Sequence, residues 1–372
     1  LFTFLDDPTG VTISFGRDAA TLLVIEISGP PPRIIDSGDI PGRGYKMREG
    51  AGSTGRRSVF RDTSGGAYSY LDAHGDVYVP GANDTIIRIP IRDRRVVKDE
   101  MVYLNLGLSV EKGTIVEEIL DKKPKANKLT AIMPDADGRV WFTSKFGVVG
   151  VIDSLGPKTE DGCPMIYSTA IQLFATEDKL RQLFSPLPEG AEEFFEKVTK
   201  ARAEQDIDAF PELRGEFRHL FLGKSDFAEQ IQNSFSVGPD GVYIVSNVAL
   251  YKLRFNAETK KIEIDPNWEK TYAQGDLVYD NDHEIKPGHL NDGSGTTPTL
   301  IGDRFVAIVD NGSKSVHLNV FRQEDGALVS KLPLFEPGKG AVENSVVAYH
   351  DHLIVGNTYG YFDPFKENDT AG

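Results

Sequence analysis

Asparagine recurs at one position in this sequence, immediately before an apolar, β-rich run. It stands there at Asn127, Asn233 and Asn344, and Glu343 adds a carboxylate beside the last of them. Amide and carboxylate oxygens are the donors that calcium takes, with about six to eight ligands around the ion. The pattern therefore predicts a calcium site made by these four residues. The alternative is that each Asn caps its own turn by accepting hydrogen bonds from backbone N–H groups, as Asn commonly does.

A second group of reactive side chains lies in residues 280–299, with the sequence DNDHEIKPGHLNDGSGTTPT. An imidazole exchanges a proton near neutral pH, so His289 is the candidate for proton transfer. Ser294, Thr296 and Thr297 are candidates for binding substrate, because their hydroxyls can hydrogen-bond a sugar or a carboxylate. The alternative is a glycine-rich loop whose hydroxyls satisfy their own backbone.

The element that must position these residues is a repeated strand–turn–strand unit. Each copy has a polar start, an apolar run, a tight turn with Asp or Gly, and a second β-rich run. Copies occur at residues 66–80, 127–144, 233–246, 296–310 and 343–357. Such a unit, recurring tens of residues apart, predicts an all-β fold in which residues 1–372 form a single β-propeller domain. At roughly 45–55 residues per blade, the length favours seven blades, with six as the alternative.

One segment, residues 171–222, departs from the β pattern. Its apolar residues recur at the spacing of one helical face, and they are Ala191, Phe194, Phe195, Val198 and Ala201. We therefore expect a helical insertion of two or three helices carried by a blade loop. Its apolar face must cover either the propeller surface or a partner subunit, so a homo-oligomer formed through the insertion is one expectation.

Two further expectations concern the connections of the propeller. Residues 29–57 are rich in Pro, Gly and Arg and are expected to form a loop over one face. Few residues follow the last repeat, so strands within residues 3–26 are expected to complete the final blade, the alternative being that the chain is cut short. In a propeller the innermost strands line a central channel. The loops that precede these strands are expected to meet at one mouth of that channel, where ligands bind.

Composition limits the classes of function. The net charge of −15 and the isoelectric point near 5.0 leave no basic footprint for nucleic acid. The single cysteine, Cys163, excludes an intramolecular disulfide and a zinc site built on CxxC pairs. No apolar run reaches the roughly 18 residues of a membrane span. A first residue of Leu rather than Met fits a secreted or periplasmic protein after removal of its signal. A trimmed chain and a cytoplasmic location are the alternatives.

The Asn-led strands followed by an Asp-Gly turn, as in residues 127–138 and 233–241, resemble blades of the SMP-30/gluconolactonase and diisopropyl-fluorophosphatase propellers. Similar phrases occur in NHL-type and quinoprotein-like propellers. The resemblance implies a calcium ion held in the channel by Glu, Asn and Asp side chains, and hydrolysis of lactones or phosphoesters. It would place Glu343, Asn127 and Asn233 at the metal. The acid that serves those families as nucleophile or base has no clear counterpart here, and Asp310 is the candidate.

Two functions are consistent with these residues. The first is a metal-supported hydrolase or lyase that acts on a small ester, lactone or sugar acid at the channel mouth. The metal would polarise a carbonyl or carboxylate of the substrate, and His289 would transfer the proton. The second is a non-catalytic propeller that binds a small-molecule, carbohydrate or protein partner. The fold alone does not choose between them, because propellers serve both purposes.

Overall fold

The structure is a computed structural model that describes most of the chain. The residues it describes are 3–6, 8–15, 20–40, 70–81, 85–108, 129–145, 147–170, 181, 186–204, 206, 209, 212–213, 216, 220, 231–246, 249–272, 293–312, 315–350 and 352–360. Contacts between Cα atoms divide the chain into two compact units. The first unit is Leu1–Ser109 with Asn127–Thr169, and the second is Val110–Ala126 with Ala170–Gly372.

Within its described residues, the first unit contains three four-stranded antiparallel sheets, whose strands follow one another in the chain. Sheet A consists of β1 (Thr3–Asp6), β2 (Thr9–Phe15), β3 (Ala20–Glu26) and β4 (Arg33–Ile40). Sheet B consists of β5 (Tyr70–Leu71), β6 (Val77–Pro80), β7 (Thr85–Ile89) and β10 (Val102–Asn105). A hairpin of β8 (Ile91–Arg92) and β9 (Arg95–Val96), followed by a short 3-10 helix (Lys98–Glu100), lies between β7 and β10. Sheet C consists of β11 (Leu129–Pro134), β12 (Val140–Ser144), β13 (Val148–Lys158) and β14 (Pro164–Ala170).

In the part of the second unit that the structure describes, there are helix α1 (Ala191–Glu204) and three sheets. Sheet D consists of β15 (Ser236–Gly238), β16 (Gly241–Val245), β17 (Ala249–Asn256), β18 (Lys261–Ile264) and β19 (Lys270–Thr271), the last paired with β17. Sheet E consists of β20 (Thr299–Ile301), β21 (Phe305–Val309), β22 (Val316–Arg322) and β23 (Leu328–Leu334). Sheet F consists of β24 (Val347–Tyr349) and β25 (His352–Ile354).

The fold is all-β and of the β-propeller type, with α1 as the one long helix among the described residues. A sheet of four antiparallel strands in chain order is the blade of a propeller. The hairpins predicted from the repeat are confirmed, since β5–β6, β11–β12, β15–β16, β20–β21 and β24–β25 are antiparallel pairs. The blade count and the single-domain boundaries stay predictions.

The Asp-Gly turns are built by side-chain hydrogen bonds of their first residue. Asp135 Oδ1 accepts the N–H of Asp137 at 3.0 Å and the N–H of Arg139 at 2.9 Å. Asp72 Oδ1 does the same in sheet B, accepting the N–H of His74 at 2.8 Å. Gly138 of the sheet C turn has a φ of +86°, which glycine adopts without steric cost. The repeated Asp and Gly therefore encode the same turn twice.

Alternating side chains of sheet B pack into two separate hydrophobic cores within the first unit. In β6, Val77 and Val79 belong to a buried cluster that includes Leu22 of sheet A. Tyr78, between them, belongs to a cluster that includes Phe142 of sheet C. Successive residues of a strand point to opposite faces of the sheet, so one strand can pack against both neighbouring sheets. This face-to-face packing of consecutive sheets buries the apolar residues that the repeat supplies.

A cluster of ion pairs around Asp76 lies at one end of sheet B. The fully buried carboxylate of Asp76 accepts hydrogen bonds from Arg88 Nε at 2.8 Å and from Arg92 Nη1 at 2.5 Å. Burial raises the pKa of Asp76, while the hydrogen bonds from Arg92 and Arg88 lower it, and the net pKa lies below the ordinary value. Asp76 is therefore held in its charged form.

Helix α1 confirms that the predicted insertion is helical at Ala191–Glu204, while its bounds, residues 171–222, and the two or three helices stay predictions. Its apolar side chains form a cluster with other residues of the same segment, which are Leu187, Ala209, Leu213 and Leu220. Phe194 and Phe195 are buried there and meet edge to face at 5.9 Å. The described part of this apolar face is thus covered by its own segment. Among the described residues, no helix has the length and apolarity to cross a membrane.

Two expectations about connections are wrong. Residues 33–40, expected in a loop, form strand β4, which pairs with β3 from Ala20 to Glu26. Residues 3–26, expected to complete the last blade, form β1, β2 and β3 of sheet A instead. The local sequence did not reveal that β4 was available as the fourth strand. With β4 in place, sheet A reaches four strands within the first unit.

Candidate functional site

Three polar segments of the second unit lie together, and we refer to residues 231–235, 293–298 and 341–346 as the loop cluster. Each precedes the first strand of its sheet, namely β15, β20 or β24. Asn233 Nδ2 donates to the carbonyl of Ser294 at 2.7 Å. The N–H of Thr297 donates to Ser345 Oγ at 3.3 Å. The loops that precede successive first strands therefore meet in this unit.

Ser294 and Thr296 are buried within the loop cluster. Their hydroxyl oxygens lie 2.9 Å apart, and Thr296 Oγ1 also accepts the N–H of Val309 at 3.1 Å. The N–H of Ser294 donates to the hydroxyl of Tyr272 at 2.8 Å. These hydroxyls thus hydrogen-bond the protein itself, which is the arrangement of the loop alternative. Substrate binding by Ser294, Thr296 and the half-buried Thr297 stays a prediction.

Glu343 lies directly against the backbone of Gly295. A Cβ atom on Gly295 would stand 2.8 Å from Glu343 Oε2 and 2.2 Å from the carbonyl oxygen of Val342. Only a residue without a side chain allows this approach. Asn344, the next residue, is exposed. Asn127 and His289 lie outside the described residues.

The predicted calcium ligands in the described part of the chain are Asn233, Glu343 and Asn344. Among the described residues, no group of three or more His, Cys, Asp or Glu side chains is placed to hold a metal ion. The oxygens of Glu343 and Asn233 are of the type that calcium takes, but they are fewer than the about six to eight it requires. The remaining ligands would be backbone carbonyls, water or residues outside the described ranges.

Asp310 follows the last residue of β21 and organises the turn into β22. Its side chain is buried, and its Oδ1 accepts the N–H of Gly312 at 3.1 Å and the N–H of His317 at 2.8 Å. Its Oδ2 lies 3.1 Å from His317 Nδ1 and 3.8 Å from Lys331 Nζ. Asp310 therefore caps a hairpin and also forms an Asp–His pair. Its role in catalysis stays a prediction.

His317 was not among the residues predicted from the sequence. The available signal was the short sequence separation between Asp310, at the end of a predicted strand, and His317, near the start of β22. Adjacent antiparallel strands bring such ends together, and β21 pairs with β22 from Phe305 to Val309. The boundaries of β22 were not predicted, so the pairing of these two side chains was not visible.

The first unit has a cleft of its own, with a volume of about 540 Å³. Residues that line it are Leu5, Asp6, Gly75, Ile91, Asp93 and Arg94. Arg94 forms an ion pair with Asp6 at 3.1 Å there. None of the predicted site residues that lie in the described part of the chain lines this cleft.

The sequence matches no known family and no curated protein. Solved structures resemble the fold. A protein from Bacteroides uniformis provisionally assigned as a 6-phosphogluconolactonase is 9% identical, with 95% of this chain and 76% of that chain covered and a TM-score of 0.50. The β-propeller domain of Cps50 (Swd1) from Myceliophteria thermophila is 10% identical, with 94% and 80% covered and a TM-score of 0.41. The likeness to the Bacteroides uniformis protein concerns the fold alone.

Proposed function

We propose that this chain binds a small lactone, ester or sugar acid at the loop cluster and cleaves it with support from a bound metal ion. The observation that carries the proposal is the meeting of three polar segments around Gly295. Asn233 reaches this point from the segment before β15, and Glu343 reaches it from the segment before β24. Such a convergence of polar groups from separate elements is typical of a small-molecule site.

Calcium is the proposed metal, held by Glu343 and Asn233 with Asn127 and Asn344 as further candidates. When bound, it would supply a positive charge that polarises the substrate carbonyl. The chain's own residues would orient the substrate, and His289 would transfer a proton. The lactonase assignment of the Bacteroides uniformis neighbour suggests lactones as the first substrates to test.

The test combines metal analysis with turnover. We expect purified protein to contain calcium in stoichiometric amount and to melt at a lower temperature after chelation, because a ligand that binds only the folded state stabilises it. We also expect hydrolysis of at least one member of a panel of lactones, phosphoesters and uronic-acid glycosides. Glu343→Gln should abolish both calcium binding and turnover. Glu336→Gln, on an exposed turn, is the matched control.

Absence of metal, of a melting shift and of turnover would together reject this function. The Asn residues would then be turn caps. Full metal content in Glu343→Gln would reject Glu343 as a ligand.

A second function, ligand or protein binding without catalysis, is favoured by one face of sheet F. Val347 and Ile354 are cross-strand partners, and Tyr349 lies two residues from Val347, so the three share a face. Each is more than half exposed. Exposed apolar patches mark interaction surfaces. Calorimetric binding of a panel member without its conversion would favour this function.

Two further predictions concern the location of the protein and its oligomeric state. A secreted or periplasmic location and a homo-oligomer through the helical insertion are both proposed from the sequence. Because its own segment covers the described apolar face of α1, the oligomer would form through other surfaces of the insertion. The oligomer is checked by light scattering of the purified chain.

A further inference from the structure

We propose that His317, oriented by Asp310, is the general base of the hydrolysis, in place of His289, which was the candidate predicted from the sequence. This inference rests on the function proposed above and concerns a residue that was not predicted from the sequence. The geometry that carries it is the 3.1 Å contact between His317 Nδ1 and Asp310 Oδ2. The Asp310 carboxylate is almost fully buried, whereas the His317 side chain is 17% exposed.

The Asp310 carboxylate is fixed before it meets the imidazole. Its Oδ1 accepts two backbone N–H groups, from Gly312 and His317, and its own N–H donates to the carbonyl of His317 at 3.1 Å. The rotation of the carboxylate is therefore restricted, and Oδ2 is held at Nδ1. A carboxylate in this position keeps the proton on Nδ1, places the lone pair on Nε2 and stabilises the imidazolium that forms.

A positively charged side chain lies beside the Asp310–His317 pair. Lys331 reaches across from β23, with its Nζ 3.8 Å from Asp310 Oδ2. The residue opposite His317 on β23 is Pro333, which adds no charge. A nearby cation favours the ionised carboxylate. Asp310 thus faces both the ammonium group of Lys331 and the imidazole of His317.

The pair lies beside the loop cluster. Val309, before Asp310, donates its N–H to Thr296 Oγ1 at 3.1 Å. Asn311, after Asp310, is hydrogen-bonded to Val342, the neighbour of Glu343. Asp310 therefore stands between two residues that are each bonded to the loop cluster. The link between the base and the loop cluster is therefore Asp310, whose side chain contacts His317.

The proposed step is balanced with water as the co-reactant. Nε2 of His317 takes a proton from a water molecule while the water oxygen bonds to the carbonyl carbon of the substrate. The bond from this carbon to the alkoxy oxygen then breaks, and the leaving oxygen takes the proton from the imidazolium. The products are an acid and an alcohol, joined in one hydroxy acid when the substrate is a lactone.

The test compares His317→Asn with the wild type on whichever panel substrate turns over. Asn keeps a donor near the position of Nδ1, so the hairpin should fold, which circular dichroism checks. Removal of a general base should lower kcat by about 100-fold or more, with little change in KM. The acid limb of the kcat profile against pH should disappear, and added imidazole should restore part of the rate. His352→Gln, a surface histidine of β25, is the matched control.

Asp310→Asn tests the positioning role. The Oδ1 atom of the new Asn can still accept the two backbone N–H groups. The variant therefore removes the negative charge and keeps the hydrogen bonds that cap the hairpin. We expect a fall in kcat of about tenfold or more and a shift of the acid limb to lower pH, because the imidazolium loses its counter-charge.

The outcomes separate the two proposals. If the wild type converts a substrate and His317→Asn keeps its kcat and acid limb, the inference is wrong while the proposed function stands. If Asp310→Asn changes only the melting temperature, Asp310 does not position the base. If the wild type converts nothing, the proposed function fails and the inference fails with it.

Discussion

Asn311 and Val342 are joined by two hydrogen bonds that run in opposite directions. Asn311 Nδ2 donates to the carbonyl of Val342 at 2.7 Å, and the N–H of Val342 donates to Asn311 Oδ1 at 2.7 Å. Both residues are buried. The side chain of Asn311 thus replaces a strand partner for the backbone just before Glu343. It ties the turn after β21 to the segment that leads into β24.

Replacing Asn311 with Ala should lower the free energy of unfolding by about 3 kcal/mol. Two buried backbone groups of Val342 would lose their partners, and each such loss costs about 1–3 kcal/mol. The φ of +55° adds a smaller cost, because alanine is disfavoured there. Urea denaturation measures the change. Asn311→Gly keeps the backbone freedom and isolates the hydrogen bonds. A loss below about 0.5 kcal/mol for both variants would show that the pair contributes little.

Replacing Gly295 with Ala should destabilise the loop cluster and reduce turnover. The added Cβ would lie 2.2 Å from the carbonyl oxygen of Val342, a backbone atom that is held by its hydrogen bond from Asn311. Overpacking of this kind costs about 1–3 kcal/mol. The free energy of unfolding and kcat/KM are the measurements. Gly356→Ala is the control, since no atom lies within 4 Å of its added Cβ. Equal behaviour of the two variants would contradict the crowding at Gly295.

Replacing Asp76 with Asn should destabilise the chain near neutral pH and much less in acid. The folded-state pKa of Asp76 is below its ordinary value, so its contribution is present above the unfolded-state pKa, about 3.9. That contribution is lost as the pH falls through the folded-state pKa. Near pH 7 we expect a loss of about 3 kcal/mol, because Arg88 is left partly buried without its counter-charge. Urea denaturation from pH 7 to 3 follows the difference.

Asp99→Asn is the control for this series, because Asp99 is exposed in the same region of the chain. Its stability should follow that of the wild type across the pH range. A constant difference between wild type and Asp76→Asn down to pH 3 would show that the ion pairs do not account for the effect.

The hairpins and the helix could be predicted from the sequence because their signals are local. The turn at Asp135 forms from hydrogen bonds within four residues, and its Gly138 supplies the required φ. The helical face from Ala191 to Ala201 follows from spacing alone. Strand β4 gave no such signal, because Arg33–Ile40 is an edge strand whose residues are mostly exposed. It forms because β3 offers a pairing edge.

The sequence by itself determined the type of fold, the five hairpins and the polar character of the segments before β15, β20 and β24. These depend on residue periodicity and turn chemistry, which act over a few residues. Only the tertiary structure decided that β3 pairs with β4, that Glu343 packs on Gly295 and that His317 meets Asp310. Such contacts depend on strand register and on the packing of separate segments. A change of one residue in register would turn each side chain to the opposite face.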